Sequence, residues 1–136
     1  MVQIQFEYRG ELRCQATHGP SSTEVITDAP VDNHGRGESF SPTDLVATAL
    51  GACMLTIMGI QADKRGWDLT GARATVDKGM LQTPIRRIGS LGIVLWLPAG
   101  LDEKAQKLLE AVAMKCPVWH SLNPEIELPV TFHWGS

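Results

Sequence analysis

The sequence predicts an α+β fold with the element order βββαββαβ. Three patterns support this prediction: short runs that alternate apolar and polar residues, one long uncharged apolar stretch, and one amphipathic stripe. Alternation with a period of two is typical of half-buried strands, whereas apolar residues three and four apart are typical of helices. Because the two helices interrupt groups of strands that suit antiparallel pairing, the α+β class follows.

Length, charge and cysteine content limit the class of protein. The 136 residues fit a single domain, residues 1–136. A net charge of −3 argues against a general nucleic-acid binder or an anionic-membrane binder. Three cysteines cannot all pair within one chain and are too few for a disulfide scaffold. No signal peptide and no membrane span are expected, so the predicted location is cytoplasmic.

The N-terminal third predicts three strands and a loop. Residues 2–9 alternate strictly between apolar and polar side chains, and residues 12–17 repeat the pattern after Gly10, so the two segments form a hairpin. A short third strand is expected over residues 24–27. Residues 28–40 are rich in glycine and polar residues, and a loop of this length suggests a function.

A long helix is expected next. Ser41 can cap it, Pro42 suits its first position, and Asp44 places a negative charge at the positive end of the helix dipole. The helix should run to about Arg65. Residues 45–60 contain no charged residue, and apolar side chains cover every side of the helical wheel. Such a helix is expected to be buried.

The C-terminal half predicts two longer strands, a second helix and a final strand. The strands cover residues 67–80 and 85–97, with a turn between them. Apolar residues at intervals of three and four indicate an amphipathic helix over residues 102–116, which Pro117 ends. Residues 129–134 form the last strand.

Two of the three cysteines lie on the predicted helices. Cys53 is in the middle of the buried helix, and Cys116 ends the apolar stripe of the second helix. Free cysteines usually pack as small hydrophobic residues, so burial alone explains either one. The pair would meet only if the two helices pack together. Cys14 lies on the inward face of an early strand and is interpreted as a core residue.

The sequence contains no recognised metal or cofactor motif. No pair of cysteines or histidines has the spacing of a zinc site, and no phosphate-binding or dinucleotide-binding glycine motif is present. We therefore predict no metal and no cofactor. A zinc site of Cys53, Cys116 and His120 stays open as a third alternative, although no spacing supports it.

Two segments resemble the OsmC/Ohr family of thiol peroxidases. Residues 41–45 (Ser-Pro-Thr-Asp-Leu) and 49–53 (Ala-Leu-Gly-Ala-Cys) resemble the family's proline-led helix that leads to the reactive cysteine. Residues 116–118 (Cys-Pro-Val) and 120–122 (His-Ser-Leu) resemble its second-cysteine motif. The resemblance implies an OsmC-like fold, with antiparallel sheets around a long buried helix, in an intertwined homodimer with active sites at the subunit interface.

The resemblance also implies an activity, the reduction of organic hydroperoxides. Cys53 would attack the peroxide and become a sulfenic acid, and Cys116 would condense with it to a disulfide. A dithiol reductant, such as a lipoylated protein, would restore both thiols. No nucleic acid and no membrane takes part.

The predicted chemistry requires a cation near Cys53. A thiolate on an apolar helix is disfavoured by desolvation, and a nearby positive charge offsets that cost. The resemblance implies an arginine held by a glutamate. Arg36, in the loop before the helix, is the first candidate, and Arg13 is the second. Glu38 is the candidate for the residue that holds the arginine.

The family's glutamate is missing from its usual position. In the characterised peroxidases it lies ten residues before the reactive cysteine, where this chain has Thr43. Asp44 is nine residues before Cys53, which places it roughly 180° around the helix, so it does not substitute. The substitution motivates an alternative function: a non-catalytic dimer that binds a small apolar or thiol-reactive ligand at the subunit interface.

Overall fold

The computed structural model describes residues 1–135 and has the predicted α+β class. The chain divides into two compact units: the first is Met1–Val46, and the second begins at Ala47. Each unit contains one three-stranded sheet. The assignment of the whole chain to one domain stays a prediction.

The first unit is built on an antiparallel sheet. Its strands are β1 (Ile4–Gly10), β2 (Arg13–His18) and β3 (Glu24–Asp28), in the order β1-β2-β3. The predicted hairpin is therefore correct, and β2 is the central strand. The alternating pattern of β1 produces this arrangement, because successive side chains of a strand point to opposite faces.

One face of this first sheet is apolar and exposed. Cross-strand register places Phe6, Ala16 and Val25 in one row, and Tyr8 and Cys14 in the next. Residues directly opposite each other share a face of the sheet. Phe6 is 69% exposed and Tyr8 is 63% exposed in the single chain. The apolar side of β1 is thus not covered by the chain itself.

The loop that follows β3 is folded back on itself. A short 3-10 turn covers Val31–Asn33, and the backbone N–H of Asp28 donates to the carbonyl of Phe40 across the base of the loop. At Gly35 a Cβ atom would lie 1.7 Å from the carbonyl oxygen of Ala29. Only glycine permits this close approach of two backbone segments.

Helix α1 covers Pro42–Arg65, as predicted. Its buried residues recur three and four apart on one face: Ala47, Leu50, Gly51, Met54, Met58 and Ala62. The opposite side is open in the single chain, where Ile60 is 51% exposed. By length and composition alone α1 could cross a membrane, a property that core helices of soluble proteins share. Burial on every side, expected from its sequence, is therefore seen on one face only.

The second unit contains a mixed sheet. Its strands are β4 (Arg73–Leu81), β5 (Arg87–Leu97) and β6 (Val130–Trp134). The β4-β5 pair is antiparallel, whereas β5 and β6 are parallel. The expectation of purely antiparallel sheets was thus wrong for β6, because the chain crosses over through two helices before it returns beside β5. Alternate residues of β5 are fully or nearly buried: Leu91, Ile93, Leu95 and Leu97.

Two helices occupy this crossover. Helix α2 covers Glu103–Ala113, and Asp102 caps it by accepting a hydrogen bond from the backbone N–H of Ala105 at 2.8 Å. The short helix α3 covers Pro117–Ser121 and was not predicted. Helix α2 ends at Ala113, earlier than the expected end at residue 116, and Pro117 does not end it but begins α3, because proline suits the first position of a helix. Strand β4 begins only at Arg73, later than expected, since residues 70 and 71 form a turn.

Candidate active site

Helix α1 places Cys53 in the second unit, one half-turn beyond a point where the helix comes close to β4. At Gly51 a Cβ atom would lie 3.1 Å from Cγ2 of Val76, so the absence of a side chain permits the close packing. Cys53 is partly exposed. The residue is therefore more accessible in the single chain than a core residue of α1 such as Met54.

Cys116 lies at the junction between α2 and α3 and is fully buried. Its backbone N–H donates to the carbonyl of Ala113 at 3.2 Å. Its Sγ accepts a hydrogen bond from the backbone N–H of Trp119 at 3.4 Å, so the sulfur acts as the N-cap of α3. With Pro117 at the first helical position, the local sequence fixes the backbone that carries the sulfur.

The side chains of Cys53 and Cys116 meet in a hydrogen bond. The pKa of the Cys116 thiol is raised, first by burial and then by its hydrogen bond with Cys53, whereas the backbone N–H of Trp119 acts in the opposite direction. Burial raises the pKa of a thiol because it disfavours the charged thiolate. Cys116 therefore favours the protonated form near neutral pH.

The unequal surroundings of the two sulfurs suit a division of roles. The attacking cysteine of a thiol peroxidase must be reached by its substrate, and Cys53 is the more accessible of the two. The second cysteine has only to reach the first. The structure thus brings together Cys53 and Cys116, the two residues that the sequence singled out.

Cys14 lies in the first unit on β2, opposite Tyr8 and Thr27 in the two neighbouring strands. Its backbone N–H donates to Oγ1 of Thr27 at 3.3 Å. The side chain is partly exposed rather than buried, because it lies on the apolar face that the chain leaves open. Its interpretation as a core residue therefore does not hold within a single chain.

Arg13, Asp28 and Glu38 form a cluster of charges within the first unit. The guanidinium of Arg13 donates to Oε2 of Glu38, and its Nη2 lies 3.6 Å from Oδ2 of Asp28. The same oxygen of Asp28 accepts the backbone N–H of Glu38 at 3.0 Å. The pKa of Arg13 is raised, chiefly by its hydrogen bond to Glu38. Glu38 thus binds Arg13, the second candidate, rather than Arg36, and the role of this pair beside Cys53 stays a prediction.

Asp28 is the member of this cluster that sequence reasoning missed. Its side chain is fully buried, and its Oδ1 has no hydrogen-bond partner among the described residues. In the sequence, Asp28 has the features of an ordinary loop residue. The signal that could have found it is the hairpin register, which pairs Arg13 with Asp28 across β2 and β3.

Arg36, the first candidate for the cation, lies in a different environment. Its Nη2 is 3.8 Å from Oε1 of Glu11, and both side chains are well exposed. An exposed ion pair holds its partners only weakly. The role of Arg36 in catalysis stays a prediction, and its surroundings do not fix the direction of its guanidinium.

Asp44 caps helix α1. Its Oδ2 accepts the backbone N–H of Ser41 at 2.9 Å, and its own backbone N–H donates to Oγ of Ser41 at 3.1 Å. This reciprocal pair is a capping box. Thr43, at the position of the family's glutamate, lies beside the cap, with its Oγ1 3.2 Å from Oγ of Ser41.

Within residues 1–135, no group of three or more histidine, cysteine or acidic residues could hold a metal ion. His120 instead interacts through Nε2 with the carbonyl of Met114 at 2.9 Å. The zinc alternative thus gains no support from the geometry.

The fold and the contact between two thiols are those of an α+β protein with a dithiol centre. The family described as OsmC-like protein matches residues 35–131 of the sequence. The chain therefore belongs to the OsmC family, as the resemblance indicated. No sequence among the curated proteins matches the chain.

Solved structures support this assignment. An osmotic stress induced and detoxification response protein from Psychrobacter arcticus 273-4 is 46% identical, with a TM-score of 0.92 over 98% of this chain and 96% of that chain. An organic hydroperoxide resistance protein OsmC from Legionella pneumophila is 18% identical, with a TM-score of 0.74 over 98% and 96%. The organic hydroperoxide resistance protein OhrB of Bacillus subtilis is 14% identical, with a TM-score of 0.71 over 97% of each chain. The two organic hydroperoxide resistance proteins share the fold of this chain.

Proposed function

We propose that this protein is a cysteine-based thiol peroxidase that reduces organic hydroperoxides. The observation that carries the proposal is the contact between a partly exposed Cys53 and a fully buried Cys116. A cysteine that is partly exposed lies against a cysteine that is fully buried. This is the arrangement that a two-cysteine peroxidase needs, because its second thiol must react with the first and not with the peroxide.

The proposed reaction needs only these two side chains and an external reductant. The Cys53 thiolate attacks the terminal oxygen of the hydroperoxide, the O–O bond breaks, and the alkoxide takes up a proton to leave as an alcohol. Cys53 is then a sulfenic acid. The sulfur of Cys116 attacks that of Cys53, water leaves, and a disulfide forms. A dithiol reductant, for which a lipoylated protein is our candidate, returns both cysteines to thiols.

A cation is expected to favour the Cys53 thiolate, and two arginines are candidates for it. Arg36 is the first choice from the sequence. Contacts within the first unit favour Arg13, because Glu38 and the buried Asp28 hold its guanidinium in one place. An arginine fixed by a glutamate is what the family resemblance implies. We therefore propose that Glu38 replaces the glutamate absent at Thr43.

We also propose that the protein is a homodimer. The apolar side of β1 is exposed to water, with Phe6 and Tyr8 more than half exposed. Exposed apolar surface of this kind often marks a protein–protein interface. A second copy of the chain is the partner that the family resemblance implies. Light scattering after size exclusion should give twice the chain mass for the native protein. Phe6→Lys should shift the mass toward that of one chain, and a native protein with the mass of one chain would contradict the proposal.

The decisive test of the activity is the response of reduced protein to one equivalent of an alkyl hydroperoxide. Mass spectrometry should show a Cys53–Cys116 disulfide in the native chain, a sulfenic acid in Cys116→Ser, and no loss of peroxide above background with Cys53→Ser. Cys14→Ser is the matched control and should behave as the native chain. Equal peroxide consumption by Cys53→Ser and the native protein would remove the proposal.

A second candidate function is the binding of a small apolar or thiol-reactive ligand without turnover. Thr43 at the position of the family's glutamate favours it. Native mass spectrometry of gently purified protein would then show a retained ligand whose mass survives gel filtration. Rapid peroxide turnover by a protein that carries no ligand would exclude this candidate.

A further inference from the structure

We infer that the Cys53–Cys116 disulfide is opened at the sulfur of Cys53, with Cys116 as the leaving group, so that the reductant forms its mixed disulfide with Cys53 alone. This inference rests on the proposed function, because it concerns the second half of the proposed cycle. The inference gives the reductant a single point of attack, the sulfur of Cys53, and gives Cys116 the role of leaving group.

Access to the two sulfurs favours attack at Cys53. A thiolate attacks a disulfide sulfur in line with the S–S bond, from the side opposite the leaving sulfur, so it must reach the far side of its target. Cys116 has no exposed surface in the chain, whereas Cys53 is partly exposed. A reductant that approaches Cys116 would have to open the junction between α2 and α3. One that approaches Cys53 meets a residue that is already partly exposed.

The surroundings of the Cys116 sulfur suit it to be the leaving group. When the S–S bond breaks, its electron pair stays on the sulfur of Cys116. The backbone N–H of Trp119 points at this sulfur from 3.4 Å and can donate to the thiolate as it forms. Burial raises the pKa of Cys116, which by itself slows its departure, so access rather than basicity sets the point of attack. The released thiolate then takes up a proton. In the reduced protein its sulfur accepts the hydrogen bond from Trp119.

Complete reduction of the disulfide requires two electrons and two thiols, and a dithiol reductant supplies both. The first thiolate of the reductant bonds to Cys53 while Cys116 is released. Its second thiol attacks its own first sulfur, which frees the Cys53 thiolate and leaves the reductant as a cyclic disulfide. Two electrons pass from the reductant to the protein. A monothiol has no tethered second thiol, so Cys116 can attack the mixed disulfide and re-form the starting bond.

The test traps the mixed disulfide in Cys14→Ser, which removes the third thiol. Diamide forms the Cys53–Cys116 disulfide without peroxide, so the point of attack can be measured even if the proposed peroxidase activity fails. Glutathione is then added, the mixture is quenched early with acid and unfolded, and the freed thiol is alkylated with N-ethylmaleimide. Peptide mapping shows which cysteine carries glutathione and which carries maleimide.

Glutathione should be found on Cys53 and maleimide on Cys116, with an excess on the order of tenfold over the reverse pattern, because access limits exchange at the buried sulfur. The same oxidised protein unfolded in guanidinium is the control. There the two patterns should approach equal abundance, because the difference in burial is lost. Equal or reversed labelling of the folded protein would overturn the inference, as would the failure of diamide to join the two cysteines.

Discussion

Arg13 and Asp28 face each other on paired strands, with 3.6 Å between Nη2 of the arginine and Oδ2 of the aspartate. The aspartate is fully buried, and only part of the arginine side chain reaches solvent. A buried carboxylate is stable in its charged form only while a partner offsets its desolvation. The pair therefore anchors the loop between β3 and α1, which Glu38 joins through two further hydrogen bonds.

Arg13→Met should destabilise the protein strongly, because it leaves the Asp28 carboxylate buried without its cation. Removal of one partner of a buried ion pair is strongly destabilising because the other charge stays buried, and the partial exposure of Arg13 moderates this loss. Arg36→Met is the matched control and should change the free energy of unfolding by less than about 1 kcal/mol, since its pair with Glu11 is exposed. Urea denaturation measures both. Equal losses would refute the structural distinction between the two arginines.

Gly51 and Gly59 lie on the same helix but should respond differently to alanine. A Cβ at position 59 meets nothing within 4 Å, so Gly59→Ala should stabilise the helix by about 0.5–1 kcal/mol. A Cβ at position 51 would lie 3.1 Å from Val76, so Gly51→Ala should lose that gain. A larger residue, as in Gly51→Leu, should destabilise the protein outright. Thermal unfolding of the three variants tests the close packing of α1 against β4, and equal melting temperatures for the two alanine variants would argue against it.

Asp44→Ala should lower stability without altering the chemistry of the cysteines. The loss of one half of the capping box should cost about 1 kcal/mol, because the backbone N–H of Ser41 loses its acceptor. The rate of disulfide formation with peroxide, measured well below the melting temperature, should stay at the native value. A large fall in that rate would mean that Asp44 takes part in catalysis and not only in capping.

Cys116 should make the stability of the reduced protein depend on pH in the alkaline range. Its pKa is raised in the folded state, so the folded protein holds the thiol proton at pH values where the unfolded chain has released it. Stability from this source is complete below the unfolded pKa of ~8.5 and is lost as the pH rises through the folded pKa. Denaturation of reduced native protein and Cys116→Ser at a series of pH values isolates the effect. The native protein should lose more stability than the variant on alkaline titration, and parallel curves would contradict the raised pKa.

The sequence predicted those features of the fold that depend on local pattern. The alternation in β1, the cap at Ser41 and the apolar residues of α1 each act over a few residues, so their outcomes could be read directly. The parallel pairing of β6 with β5 was missed, because register between distant strands leaves no local trace. Helix α3 was missed because Pro117 was expected to end the second helix, whereas it is the first residue of α3.

In the candidate site, too, local motifs identified individual residues but not the contacts between them. The motifs around Cys53 and Cys116 singled out both sulfurs, yet their contact could be established only from the packing of the second unit. Glu38 binds an arginine, although its role beside Cys53 stays a prediction. Its partner is Arg13 rather than the nearer Arg36, because β2 and the loop after β3 meet in space and not in sequence.

The hydrogen bond from Trp119 to the sulfur of Cys116 links the chemistry of the side chain to the backbone of α3. A sulfur that changes between thiol, thiolate and disulfide also changes in strength as an acceptor, and the amide proton that it binds must respond. The amide of Trp119 is therefore a built-in spectroscopic probe of oxidation. Its chemical shift and its rate of exchange with solvent should follow the state of Cys116 through every turn of the cycle, without any label attached to the protein.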